Sequence, residues 1–452
     1  MVHIYKQNGY NIVLDVESGA VHSVDDLTFD ILSYEKLFLE ENAVEELSTK
    51  LPDANKGEIA EIVCELKELY DEGLLYSEEF VPEDYMSDND DLPVKALCLN
   101  IAHDCNLRCS YCFASTGDFG EGRKLMPFET AKAAIDFVIE SSKGRRNIDV
   151  DFFGGEPLMN FDVVKQTVEY ARSIEKQHNK VFRFTLTTNG VLLNDEITEY
   201  INKEMSNCVL SLDGRREVND KMRKTVNGNS SYDVIVPKFK KLVEKRTGDY
   251  YLRGTFTKHN TDFTEDVKHI YSLGFDQVSV EPVVSPAECD WAITEKELPA
   301  VLNEYEKLAK YILEMKQAGK KINFFHFNLD LDDGPCILKR VKGCGCGSEY
   351  VAVTPDGDIY PCHQFVGNRQ FIMGNVHGTE INKEMKAKFK NTDLCHKSEC
   401  KNCFAKYFCS GGCNANNYAF NGDMLLPHKI GCEMQRKRLE CSLMIQTALK
   451  TE

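Results

Sequence analysis

At 452 residues the chain exceeds one ordinary hydrophobic core, so two or three domains are expected. A formal net charge of −18, with no basic stretch interleaved with aromatics to offset it, excludes nucleic acid as a partner, and no apolar run approaches the ~18 residues of a membrane-spanning helix, which excludes a membrane protein. Eighteen cysteines behind a start, Met1-Val2-His3-Ile4-Tyr5, that lacks an export signal point to the reducing cytoplasm, where metal or cluster ligation explains cysteine better than disulfides do.

Residues 1–90 read as a small separate module. Strand-like runs at His3-Ile4-Tyr5 and Asn11-Ile12-Val13-Leu14 precede two helical segments, and Asp25 and Asp26 suit a helix start. The second segment carries Ile59, Ile62, Leu66 and Leu69 on one face before Gly73 ends it. The acidic, turn-rich run Pro82–Asp91 has the composition of a linker and sets the first boundary.

From residue 94 to 335 predicted strands at 95–101, 147–153, 181–187, 207–212, 250–257 and 276–281 alternate with amphipathic helices. Two of these helices are marked by Phe128, Ala131, Ile135 and Val138 and by Val164, Val168 and Ala171. This is the β/α repeat of a parallel sheet or barrel, in which chemistry gathers at the carboxyl ends of the strands. From 336 to 452 the character changes: ten of the eighteen cysteines lie between Cys336 and Cys432 among glycines and turns, so this region is expected to depend on metal for its fold.

Cys105-Asn106-Leu107-Arg108-Cys109-Ser110-Tyr111-Cys112 falls on the loop after the first of these strands. Three thiolates hold three irons of a [4Fe–4S] cube and leave the fourth iron open to an outside ligand. A buried helical stripe of small residues would give the same spacing, but the loop placement and polar neighbours oppose it. At the end of the second strand comes Gly154-Gly155-Glu156-Pro157, where glycine lets the backbone approach a ligand and a carboxylate can accept from an ammonium group.

Cys-x3-Cys-x2-Cys is the signature of the radical S-adenosylmethionine (SAM) superfamily, which this segment resembles. The resemblance continues through the Gly-Gly-Glu-Pro motif, Thr187-Thr188-Asn189-Gly190 and Ser211-Leu212-Asp213-Gly214, each at a strand end. It implies an α/β fold built on a partial (β/α)6 TIM-like barrel, with a SAM-binding cluster on Cys105, Cys109 and Cys112. It also implies Tyr111 near the adenine, Gly155 and Glu156 at the methionine amine, and Asn189 and Ser211 at the ribose and methionine carboxylate. Arg223 or Arg253 would pair with that carboxylate, and each also fits a plain surface arginine.

The tail reads Cys400-x2-Cys403-x5-Cys409-x3-Cys413, with Cys432 beyond it and Cys344, Cys346 and Cys362 before it. Spacing alone also admits structural zinc, although only one clean Cys-x2-Cys knuckle is present. Beside the first motif, the segment resembles the SPASM domain, which implies two auxiliary [4Fe–4S] clusters. The outer one would use Cys400, Cys403, Cys409 and Cys432. The inner one would use Cys413, Cys362 and either Cys344 or Cys346, with Cys344 favoured and one iron left vacant. A vacant iron would hold a substrate cysteine as thiolate, which suits sulfur–carbon bond formation. Cys64, Cys98, Cys208, Cys289, Cys336, Cys395 and Cys441 match no motif and read as core or surface residues.

The front layout resembles the winged-helix-like α+β modules with which some enzymes recognise ribosomally made precursor peptides. That likeness implies a leader peptide added as a strand on an exposed edge; a structural or dimerising extension is the other reading. Taken together, residues 1–90, 94–335 and 336–452 resemble the maturases of SCIFF peptides ("six cysteines in forty-five"), which are thioether-forming sactisynthases. This resemblance implies three [4Fe–4S] clusters, SAM, an external electron donor and a cysteine-rich precursor peptide as substrate. A 5′-deoxyadenosyl radical would take hydrogen from an α-carbon, of threonine in that family, and a cysteine sulfur would bond there, with no protein acid or base assigned. The rival within enzymes is a sulfatase-maturing oxidase that makes formylglycine, marked by four cysteines around its inner cluster and a catalytic aspartate. The rival outside enzymes is a silent, zinc-bound peptide-binding protein.

Overall fold

The computed structural model describes residues 1–79, 92–331, 337–378 and 380–451; the linker expected at Pro82–Asp91, the boundary at 335/336 and Cys336 lie outside the described residues. Six parallel strands run side by side in chain order: Ala96–His103, Asn147–Gly154, Val181–Thr188, Asn207–Ser211, Asp249–Phe256 and Gln277–Pro282. All six match expected positions; burial alternates along the second to fifth, whereas Ala96–His103 is buried almost throughout and Val278, Ser279 and Val280 are buried in succession. Leu97, Leu99, Ile101, Val150, Phe152, Phe182, Phe184 and Leu186 are all but fully buried under the flanking helices. Each contributes roughly 1.5–3 kcal/mol by leaving water. Helices Phe128–Ser141 and Phe161–Ile174 cover this face with Ala131, Ile135, Val138, Val164, Val168 and Ala171, while Phe128 is only half-buried.

The intervening residues turn a polar face the other way. Arg183 pairs with Asp149 at 2.7 Å, and Asp151 stands between Cys98 and Thr185 in register. Burial, with Asp149 adding repulsion, pushes the Asp151 carboxyl up to about 6.

The sheet continues at both ends. Asn323–Phe324 joins the sixth strand, and Tyr350–Val353 runs parallel to the first strand, followed by antiparallel Asp358–Tyr360 and Gly374–Asn375. The cysteine-rich tail is therefore tied to the central sheet by backbone hydrogen bonds, such as Lys95 N to Glu349 O at 2.7 Å.

At the front, Val2–Gln7 and Tyr10–Asp15 form a hairpin around Asn8 and Gly9, both at positive φ, and Val21–Val24 adds a third antiparallel strand that the sequence reading missed. Three helices follow rather than two: Asp26–Leu32, Ala43–Lys50 and Lys56–Asp71. Asp25 caps the first by accepting from Thr28 N at 2.7 Å, and Gly73, at φ 70°, stops the third. The third helix buries Ile59, Val63 and Leu66, so its inner face is rotated from the expected Ile59–Ile62–Leu66–Leu69 stripe.

The front unit is not separate in its packing. Val13 faces its own helices, whereas Ile12, Leu14 and Val16 enter the main core. The C-terminal helix Lys429–Thr451 accepts Tyr5 Oη on Glu440 O at 2.8 Å, and a buried ion pair joins Lys406 to Glu17 at 2.7 Å. No helix among the described residues is long and apolar enough to cross a membrane.

Candidate active site and cluster-binding cysteines

The loop after the first strand is fixed by backbone contacts. Gly155 N donates to Ala102 O at 2.7 Å and Glu156 N to Asp104 O at 2.9 Å, which clamps the residue just before Cys105 to the end of the second strand. A Cβ on Gly154 would lie 2.4 Å from Ala102 O, and one on Gly155 2.2 Å from Asp104 O. These glycines are therefore required by the approach of the cysteine loop itself, a tighter constraint than the ligand contact that the motif suggests.

A short strand, Leu107–Cys109, pairs antiparallel with Arg223–Thr225, and Arg223 stands directly opposite Cys109. Arg223 is buried; Nη1 donates to Tyr111 Oη at 3.0 Å, and Tyr111 Oη donates to Asp213 Oδ2 at 2.6 Å. Burial works against the guanidinium charge, but Tyr111, Cys109 and Asp213 around it keep it protonated. Its Nε has no protein partner. Arg253 is about half exposed and paired with Glu281.

Glu156 is 1% exposed. Its Oε1 accepts from Thr188 Oγ1 at 2.7 Å and Leu158 N at 3.1 Å, and its Oε2 from Asn189 N at 2.8 Å. Three of its four acceptor positions are thus taken by the protein, and burial raises its pKa. Asn189 Nδ2 donates to Asn106 Oδ1 at 2.8 Å and approaches Cys105 Sγ at 3.6 Å, where Leu107 N also points at 3.4 Å. Asn106 Nδ2 is buried without a partner.

Cys105, Cys109, Tyr111, Cys112, Gly155, Glu156, Asn189, Ser211, Arg223 and Arg253 all line one cavity of about 250 Å3. The residues fit a cluster with SAM in donor chemistry: three thiols, N–H groups directed at Cys105 sulfur and a spare buried guanidinium N–H. Burial, with Glu156 adding, pushes the Cys105 thiol up to about 12, and burial takes Cys109 to about 11 despite Arg223. Only a cation such as iron brings such thiols to thiolate at neutral pH. Residues that the sequence reading passed over line the same cavity: Phe113, Phe153 and His363 form an aromatic wall, with Phe153 and His363 ring centres 5.0 Å apart. No periodic signal marks them, because they come from three distant segments.

The tail thiols fall into two groups. Cys344, Cys346, Cys362 and Cys413 are mutual electrostatic neighbours, and Cys346 donates to the Cys362 sulfur, holding that thiol below its ordinary value. The expected three ligands thus meet a fourth thiol in Cys346, which is 6% exposed. Cys400, Cys403, Cys409 and Cys432 form the other group, with Cys400 and Cys432 both pushed up to about 11 by burial. Among the described residues no three His, Cys, Asp or Glu side chains converge to hold a single metal ion. Of the unassigned cysteines, Cys98, Cys208 and Cys441 are buried, Cys289 and Cys395 half-buried and Cys64 exposed.

Comparison with known proteins agrees with this arrangement. The radical SAM superfamily matches residues 99–273, and the SPASM iron–sulfur cluster-binding domain matches residues 344–404. The chain is 24% identical to the cysteine-type anaerobic sulfatase-maturating enzyme of Clostridium novyi over 69% of this chain and 86% of that protein. Its fold is similar to anSMEcpe with bound AdoMet and the Cp18Cys peptide (TM-score 0.67, 20% identity, 80% of this chain and 100% of that one). It is also similar to Streptococcus suis SuiB bound to its precursor peptide SuiA (TM-score 0.51, 15% identity, 95% and 98%). The chain is thus a radical SAM enzyme with an SPASM iron–sulfur domain.

Proposed function

We propose that this enzyme installs an intramolecular thioether, from a cysteine sulfur to an α-carbon, in a ribosomally made cysteine-rich precursor peptide. In this reading residues 1–90 recognise the leader, 94–335 form the radical barrel and 336–452 carry two auxiliary clusters, for three [4Fe–4S] clusters in all. The observation that carries it is the shared cavity: His363, the neighbour of Cys362, lines the same space as Cys105, Cys109 and Cys112. A peptide in that space would meet the cysteines of the first motif, with Cys362 of the inner group one residue beyond the lining.

When bound, the cluster and SAM supply a 5′-deoxyadenosyl radical. The chain's own residues set where it acts. Arg223 would offer its spare Nε–H to the SAM carboxylate, Glu156 would take the SAM amine on its remaining acceptor position beside Gly155, and Asn189, Ser211 and Tyr111 would hold the rest of the molecule. Holding the reacting carbon within contact of that radical is the protein's main contribution. For each carbon–sulfur bond formed, the peptide gives up one hydrogen atom to the nucleoside, one thiol proton and one electron.

Formylglycine formation, as in the sulfatase-maturing relatives, is the second reading, and Cys346 favours it by giving the inner group four thiols. Against it, both carboxylates lining the cavity are held by protein partners, Glu156 by its three donors and Glu281 by Arg253. The test is anaerobic incubation of reconstituted enzyme with SAM, reductant and a synthetic SCIFF-type precursor with its leader. Loss of about two hydrogens with all sulfur retained, one alkylatable thiol fewer and no aldehyde supports the thioether. Loss of sulfur, or a new aldehyde, supports the second reading, and an unmodified peptide counts against both.

A further inference from the structure

The described tail holds one lysine whose charge no sequence motif explains. Lys397 is 1% exposed. Its Nζ donates to Gly411 O at 2.8 Å and to Asn414 Oδ1 at 2.9 Å. Gly411 lies two residues after Cys409 of the outer group and two before Cys413 of the inner one, so the ammonium is anchored between the two sets of thiols. The site is shaped for it. Gly411 sits at φ 81°, a Cβ there would fall 2.7 Å from Lys397 Cδ, and Asn414 is oriented by its own bond to Thr392 Oγ1 at 2.6 Å.

Both hydrogen-bond acceptors of the ammonium, Gly411 O and Asn414 Oδ1, are neutral oxygens, and a buried cation so held needs a negative counterpart. The negative groups facing Lys397 are the sulfurs of Cys400, Cys409 and Cys413 and the Asp393 carboxylate. Asp393 accepts from His396 Nδ1 at 2.8 Å and from Cys395 N at 3.0 Å on Oδ1 alone, and its Oδ2 is buried without a hydrogen-bond partner. The carboxylate and the three sulfurs together surround the ammonium as its counter-charge.

We propose that Lys397 is a shared positioning charge for the two auxiliary clusters, holding both at a higher reduction potential so that they take up the electron released when the carbon–sulfur bond closes. This inference rests on the assignment of these thiols to auxiliary clusters made above. A thiolate-bound cube gains one negative charge on reduction, and a fixed cation nearby stabilises the reduced form more than the oxidised one. The peptide oxidation described above needs such an acceptor, and Lys397 biases the clusters toward accepting.

EPR-monitored redox titration of the reconstituted holoenzyme tests this, with wild type, Lys397→Gln and Lys397→Arg compared. Gln keeps a hydrogen-bond donor and loses the charge; Arg keeps the charge. In Lys397→Gln the equilibrium constant for reduction of the auxiliary clusters should fall at least tenfold, about 59 mV for one electron, and Lys397→Arg should restore most of it. Auxiliary potentials unchanged in Lys397→Gln would overturn the inference. If Lys397→Gln fails to load these clusters, loading by Lys397→Arg supports the charge requirement and failure of both assigns the residue a packing role, which also overturns it. Wild-type enzyme without auxiliary cluster signals would instead refute the cluster assignment.

Discussion

Replacing Gly155 by alanine tests the link between the second strand and the radical-generating loop. The new Cβ would lie 2.2 Å from Asp104 O, 2.6 Å from Asp104 C and 2.9 Å from Gly117 O, where ordinary contact begins at 3.4 Å. All three are backbone atoms, so no side-chain rotation relieves the overlap, and the segment entering Cys105 must move by about 1 Å. Overpacking of this kind costs about 1–3 kcal/mol. Breaking the 2.9 Å bond from Glu156 N to Asp104 O adds about 1 kcal/mol. A displacement of about 1 Å at reacting atoms costs on the order of 100-fold in rate. Gly155→Ala should therefore lose SAM cleavage by about 100-fold, with iron falling by about four per chain as the first cluster is lost. The control is Gly144→Ala, whose Cβ meets nothing within 4 Å. Cleavage by Gly155→Ala within threefold of wild type, at full iron content, would refute the clamp.

Alanine at Cys105, Cys109 and Cys112 together should abolish 5′-deoxyadenosine formation while visible absorption and EPR still report the auxiliary clusters. Arg223→Gln should raise the Kd for SAM by about 10–100-fold, the worth of one charged hydrogen bond of about 1.5–3 kcal/mol, whereas Arg253→Gln should shift it less, which equilibrium binding to the reconstituted enzyme would measure. Asp151 sits in the fold with its pKa near 6, against 3.8 for an ordinary aspartate, so its burial costs nothing while protonated and destabilises the fold once ionised. Stability should fall as pH rises from about 4 to about 6, by up to about 3 kcal/mol. Asp151→Asn should remove that loss, and its thermal midpoint should exceed that of wild type by more at pH 7.5 than at pH 5.

The parallel sheet was legible because strands such as Asn147–Gly154 and Val181–Thr188 alternate cleanly and recur between amphipathic helices. The cysteine spacings were equally plain. The remaining features depend on contacts between distant segments. The pairing of Arg223 with Cys109 involves a three-residue strand with no hydrophobic pattern of its own. The two-sided burial of the front sheet could not be read from its strands, since Ile12, Val13 and Leu14 are apolar in succession and do not say which partner covers each face. Lys397 reads in sequence as a surface residue, and only the fold reveals it sealed against Gly411. Spacing leaves open whether Cys344 or Cys346 joins the inner group, and only the turn at Gly345 and Gly347, both at positive φ, shows the Cys346 thiol beside Cys362.

The most direct measurement follows the hydrogen. A SCIFF-type precursor carrying deuterium on the α-carbons of its threonines, incubated anaerobically with SAM, reductant and the reconstituted enzyme, should yield 5′-deoxyadenosine that contains deuterium, together with a peptide lighter by one deuterium and one hydrogen. Deuterium-free 5′-deoxyadenosine beside a modified peptide would contradict abstraction from that carbon, and deuterium-free nucleoside beside an unchanged peptide would contradict the thioether assignment for this substrate class.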